Sequence, residues 1–228
     1  MAEHSPARHD LMWLEAGAAA RARPLPGCSA GLHDAAGALA AWIAADRPLV
    51  VARQPGERAP GRIVLGLPLP PSAGKHRIAF DIPLAQVRRR APPPPLSAIA
   101  SLLPDEWQTT LQTLTTHPDI VATAPRAFGS AAMQAITGTT CLGEDSDLDL
   151  LLKPTSRAAA ERALDALGAL VAQGCRPRLD GEMLDRHGRA TSWRELLSGA
   201  KQVLFKHTER IGMTRREDFL EACEASAT

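Results

Sequence analysis

The chain has 228 residues, 45% of them hydrophobic and 22% charged, an ordinary globular composition with length for one large domain or two small ones. A net charge of +1 gives no overall attraction to nucleic acid, so a role on long nucleic acid gains no support from charge. Arginine supplies most of the positive charge, 22 residues against four lysines; a GC-rich genome is the plain cause and bidentate phosphate recognition the sharper one.

Cys28, Cys141, Cys175 and Cys223 are widely spaced and form no zinc-ligand pattern. Glu3, His4, Arg8 and Asp10 stand where a signal peptide would need its apolar run, and Asp46, Arg47 and Pro48 interrupt the apolar region 35–52. The expectation is a reduced, cytoplasmic protein with no membrane segment.

In chain order, residues 8–14 read as a short strand with Trp13 in the core, and Ala35, Leu39, Trp42 and Ile43 have helical spacing. Asp46-Arg47-Pro48 ends that helix. Strands follow at 49–52, 62–67 and 77–82, the first two around a polar turn at 54–57. Residues 1–90 therefore form a small α+β domain. Arg88-Arg89-Arg90 reads as a solvated charge cluster that can attract an acidic partner, and the prolines of 91–95 as a polyproline II linker.

Residues 96–228 form the second domain. Helices are expected at 96–103 and 105–116, with Ser97 and Asp105 as caps. Residues 121–128 lead into a Gly129-Ser130 turn and a short helix at 131–136. An apolar strand then begins with Asp147 and Asp149, and a long helix at 156–173 ends at Gly174. The next strand, 176–184, carries Asp180 and Glu182 on one face unless Gly181 makes a bulge. A short helix anchored by Trp193, a final strand at 202–207 and a helix at 215–223 capped by Thr214 complete the chain. Strand, helix, strand, helix is the order of an α/β layer.

The chemistry concentrates between Arg126 and Lys153. Side chains alternate along a strand, so Asp147 and Asp149 point one way while Leu148 and Leu150 point the other. Paired carboxylates are costly to bury without cations, and hard oxygens suit Mg2+, which binds through one or two carboxylates plus substrate phosphates. Backbone N–H groups at Gly129 and Ser130, opening a helix, can receive a phosphate. Arg126, Lys153, Arg176 and Arg178 are candidates for neutralising charge on phosphate oxygens. Asp180 or Glu182 can supply a third carboxylate, with Asp180 the narrow first choice. These parts read as metal-dependent phosphoryl or nucleotidyl transfer.

Phe128-Gly129-Ser130, Gln134, Thr137-Gly138 and Asp145-Ser146-Asp147-Leu148-Asp149-Leu150-Leu151 resemble the phosphoribosyl-dephospho-CoA transferase of malonate decarboxylase, a holo-acyl-carrier-protein synthase. The resemblance extends to Arg47-Pro48-Leu49-Val50-Val51-Ala52-Arg53, Gly66-Leu67-Pro68-Leu69-Pro70 and Lys75-His76-Arg77-Ile78-Ala79-Phe80, so it covers most of the chain. It implies a nucleotidyltransferase palm like that of DNA polymerase β, 2'-(5''-triphosphoribosyl)-3'-dephospho-CoA as donor, Mg2+ as cofactor, and a serine of the decarboxylase's acyl-carrier subunit as acceptor. The sixteen residues between Ser130 and Asp147 exceed the usual superfamily spacer and read as a subgroup mark, with Asp145 in a turn. The other readings are a nucleotidyltransferase for another acceptor, such as the citrate lyase carrier, and a carrier-docking module without turnover.

Overall fold

A computed structural model describes residues 5–26, 34–54, 56, 59–74 and 77–224, with Arg77 as backbone alone. Cys28, Lys75, His76 and two residues of the turn expected at 54–57, Pro55 and Glu57, lie outside the described residues. The chain divides into two compact units, Met1–Pro93 with Thr208–Arg210, and Pro94–His207 with Ile211–Thr228. Both mix helices and sheet, giving an α+β fold.

In the first unit, β1 (Leu11–Leu14), β2 (Arg23–Pro24), β3 (Leu49–Val51), β4 (Arg62–Pro68), β5 (Arg77–Pro83) and β6 (Val87–Ala91) form an antiparallel sheet in the order β2-β5-β4-β3-β1-β6. Helix α1 (Ala35–Ala44) buries Leu39, Trp42 and Ile43, as the spacing predicts. Asp34 caps it by accepting the Gly37 N–H at 2.7 Å. Gln54 is buried rather than a surface turn residue. Its Oε1 accepts from Val64 N at 2.8 Å, and its Nε2 donates to Ala52 O and Val64 O at 2.7 and 2.8 Å, closing the ends of β3 and β4.

The arginine run is exposed, as expected, but each of its side chains has a partner. It forms β6, with Trp13 opposite Arg89 and Met12 opposite Arg90. Arg88 donates to Leu14 O at 3.0 Å and pairs with Asp46. The Arg89 guanidinium lies 3.5 Å from the Trp13 ring centroid, a cation–π contact. Arg90 Nε donates to buried Asp10 at 2.9 Å. A one-letter run of like charge hides three different partners that only the sheet brings close.

The second unit contains helices α2 (Leu96–Ile99), α3 (Gln108–Thr116), α4 (Pro118–Val121), α5 (Gly129–Thr137), α6 (Arg157–Ala172), α7 (Trp193–Leu197) and α8 (Arg216–Glu221). Its strands are β7 (Arg126–Phe128), β8 (Leu148–Leu152), β9 (Leu179–Leu184), β10 (Ala190–Ser192), β11 (Gln202–Lys206) and β12 (Ile211–Arg215), ordered β12-β11-β10-β9-β8-β7. Only the β8–β9 pair is parallel, and α6 supplies the crossover such a pair needs. Leu148, Leu150, Leu152, Leu179 and Met183 bury against Ala160, Leu164 and Leu167 of α6.

Ser156 Oγ accepts the Ala159 N–H at 3.1 Å and starts α6; Gly174, at φ +72°, follows its end. Other boundaries differ from expectation. The helices expected at 96–103 and 105–116 each divide into an α segment and a 3-10 turn, and neither Ser97 nor Asp105 caps one. Pro94 and Pro95 do not form a free spacer. Pro94 O accepts from Ala127 N at 3.0 Å and Pro95 bridges Arg126, so the chain runs along β7. The strand at 202–206 is not the last, since β12 follows and contains Thr214; Arg215 occupies the N-cap position of α8.

Candidate functional site

Strand β8 keeps Leu148, Leu150 and Leu152 in the core, which turns Asp149 and Leu151 to the opposite face. Parallel pairing sets Asp149 beside Asp180 and Leu151 beside Glu182. Gly181, at φ +132°, does not break this register, because Leu179 and Met183 on either side remain in the core. A Cβ there would collide with the Leu150 backbone, so glycine is what lets β9 lie against β8.

Asp147 lies one residue before β8. Arg178 O accepts the Leu148 N–H at 2.9 Å, which carries the ladder one step beyond the strand and brings the two side chains together. Arg178 Nε donates to Asp147 Oδ1 at 2.7 Å, and its Nη2 pairs with Oδ2. This bidentate bond to Asp147 raises the guanidinium further above its ordinary value, and the charges of Asp180 and Asp149 add to the effect.

On the other side, Asp149 is opposite Phe128, the last residue of β7. Gly129 follows at φ +67° and opens α5, with Ser130 half-buried in the first turn. A Cβ on Gly129 would overlap Asp149 Oδ2 and stand 3.1 Å from Cγ, so the carboxylate lies directly against the start of the helix. The start of α5 thus meets the carboxylate face of β8, an arrangement whose chemistry suits a phosphate together with a counter-ion.

The long spacer is folded rather than loose. Gln134 Oε1 accepts the N–H groups of Cys141 and Leu142 at 3.0 and 3.1 Å, and Ser146 Oγ accepts that of Gly143 at 2.8 Å. Asp145 lies in a turn. These bonds set the path that delivers Asp147 to the strand. The sequence marks Gln134 within the signature, but nothing in its spacing reveals that one amide receives two N–H groups seven and eight residues away.

Asp147, Asp149, Asp180, Gly129 and Ser130 therefore gather at one end of the β7–β8–β9 layer. Glu182 lies one row further along, 5% exposed, accepting from Lys206 Nζ at 3.1 Å. Arg126 occupies that same row, opposite Leu151. Lys153 is exposed beyond the far end of β8, four residues and about 13 Å from Asp149 at strand spacing, and does not join the cradle. Among the described residues no group of three His, Cys, Asp or Glu side chains forms a ready metal centre. The donor set nevertheless suits Mg2+, which takes one or two carboxylates and completes its shell with water and phosphate.

The family models for the N-terminal and C-terminal domains of phosphoribosyl-dephospho-CoA transferase MdcG match residues 7–93 and 95–217. The chain belongs to this family. A relative from Xanthomonas campestris pv. campestris (strain 8004), named phosphoribosyl-dephospho-CoA transferase, is 38% identical over 222 residues, 96% of this chain and 99% of the relative. Relatives of the same name from Bradyrhizobium diazoefficiens and Pseudomonas syringae pv. tomato are 32% identical over 98% of this chain and 96% of the relative, and 30% over 87% and 86%. No solved structure matches. Family membership makes the chain an enzyme of the transferase class. Among the described residues no helix is long and apolar enough to cross a membrane.

Proposed function

We propose that the enzyme transfers the phosphoribosyl-dephospho-CoA group from 2'-(5''-triphosphoribosyl)-3'-dephospho-CoA to a serine of the acyl-carrier subunit of malonate decarboxylase. The observation that carries this reading is Asp149, set beside Asp180 and against the start of α5, in a chain of this family. The serine oxygen attacks the phosphorus nearest the ribose, the bond from that phosphorus to the bridging oxygen breaks, and pyrophosphate leaves.

The N–H groups at Gly129 and Ser130 hold the phosphates at the helix end, where negative charge is favoured. Asp147 and Asp149 would hold Mg2+, which would supply positive charge to the reacting phosphates. Asp180, next to Asp149 and away from the Glu182–Lys206 pair, is the third carboxylate and accepts the serine proton. Arg178 and Arg126 supply positive charge on the same face. With that donor and acceptor, the proposed reaction is a cytoplasmic one.

The test is incubation with the triphosphate, apo-carrier and Mg2+. Equal amounts of pyrophosphate and mass-shifted carrier are expected, with the acceptor serine identified by peptide mapping and the citrate lyase carrier a poor acceptor. Carrier that gains no mass, or a faster reaction with the citrate lyase carrier, overturns the assignment.

A further inference from the structure

The pairing of Arg178 with Asp147 has a chemical consequence for metal binding. Both side-chain oxygens of Asp147 face one guanidinium, so the carboxylate is already neutralised by a cation of the protein's own. Arg178 is 63% exposed and stands at the entry to β9, whereas Asp147 is 22% exposed and fixed by the folded spacer. Of the two partners, the arginine is the one free to swing. Glu182, the second carboxylate along β9, pairs with Lys206, whereas Arg178 pairs with Asp147 and lies within the charge of Asp180 and Asp149.

We propose that Arg178 is the resident counter-cation of Asp147, and that it transfers to a phosphate oxygen of the incoming triphosphate when a divalent ion takes its place. This inference rests on the assignment of Asp147 as a metal ligand. Without a polyphosphate, Arg178 competes with the ion for the same two oxygens. With one, the guanidinium finds a second anion that suits its planar fork, and the competition ends. Metal binding is thereby tied to the presence of the triphosphate, and the same residue that opposes the bare ion helps hold the donor.

Mn2+ binding followed by electron paramagnetic resonance, with and without tripolyphosphate, tests this on the full chain. Arg178→Gln is expected to bind Mn2+ about fivefold more tightly than the parent enzyme when polyphosphate is absent, the size of an exposed ion pair. The advantage is expected to vanish or reverse when tripolyphosphate is present. Arg178→Lys keeps the charge without the fork and is expected to fall between the two; it also serves if the glutamine variant folds poorly. Equal Mn2+ affinity of all three proteins without polyphosphate overturns the proposal, as does a difference that polyphosphate leaves unchanged. A parent enzyme that binds no Mn2+ even with tripolyphosphate instead overturns the metal assignment itself, which separates the two failures.

Discussion

Asp149 Oδ2 occupies the space that a Cβ on Gly129 would need, so strand β8 and helix α5 meet through a residue with no side chain. The backbone at Gly129, with φ +67°, reinforces the requirement. Gly129→Ala is therefore expected to fold with a loss of about 1–2 kcal/mol and to displace the Asp149 carboxylate. Transfer should fall by about 100-fold, since small misplacements at a reacting centre cost that much. Gly181→Ala drives a Cβ into the Leu150 backbone and should instead deplete folded protein. Thermal melting and transfer rates of the two variants check the contrast.

Asp180 and Glu182 separate by their neighbours. Asp180→Asn should lower transfer by at least about 100-fold, the scale of a lost general base. Glu182→Gln should leave transfer within severalfold of the parent. Lys206→Met should lower stability by about 2 kcal/mol by taking the ammonium from the 5%-exposed Glu182. The rates, measured with saturating carrier, decide between the carboxylates.

The arginines of β6 make a poor target for probing carrier docking by charge reversal. Arg90→Glu would set a second carboxylate against buried Asp10 and should cost about 2–3 kcal/mol, with the melting temperature falling accordingly. Arg88→Glu, whose partner Asp46 is exposed, should cost less. Denaturant melts of the two variants test the order.

Burial pushes the Cys223 thiol up from its ordinary 9.0 to about 12, with Asp185 adding to the effect. A raised pKa favours the neutral thiol in the folded chain. Its contribution to stability is therefore full below about pH 9 and is lost as pH rises toward 12. Comparison of the parent with Cys223→Ala in urea should show a smaller stability difference at about pH 10 than at about pH 8. Native Cys223 should also alkylate more slowly than the half-buried Cys175.

The legible parts of the fold are those that periodicity controls. Leu39, Trp42 and Ile43 announce α1, and the Leu148-Leu150-Leu152 alternation announces β8. The strands without that signal were illegible. In β12, Ile211 and Met213 are exposed, and the arginines of β6 conceal a strand behind their charge. At the site, the placement of Asp149 against Gly129 was readable from motif and turn chemistry. The pairing of Asp180 with Asp149 was not, because it depends on the register of two strands joined through a sixteen-residue helix. Nor was the bond from Arg178 to Asp147, which needs that same register.

The proposed transfer depends on Asp147 and Asp149 acting on the triphosphate. Asp147→Asn and Asp149→Asn remove ligand charge with almost no change in volume, so both should fold. Pyrophosphate release in a single turnover, with excess apo-carrier and Mg2+, measures their role directly. The expected result is release at least about 1,000-fold slower for each variant, as for removal of a group stabilising transition-state charge. Release at the parent rate by either variant would contradict it.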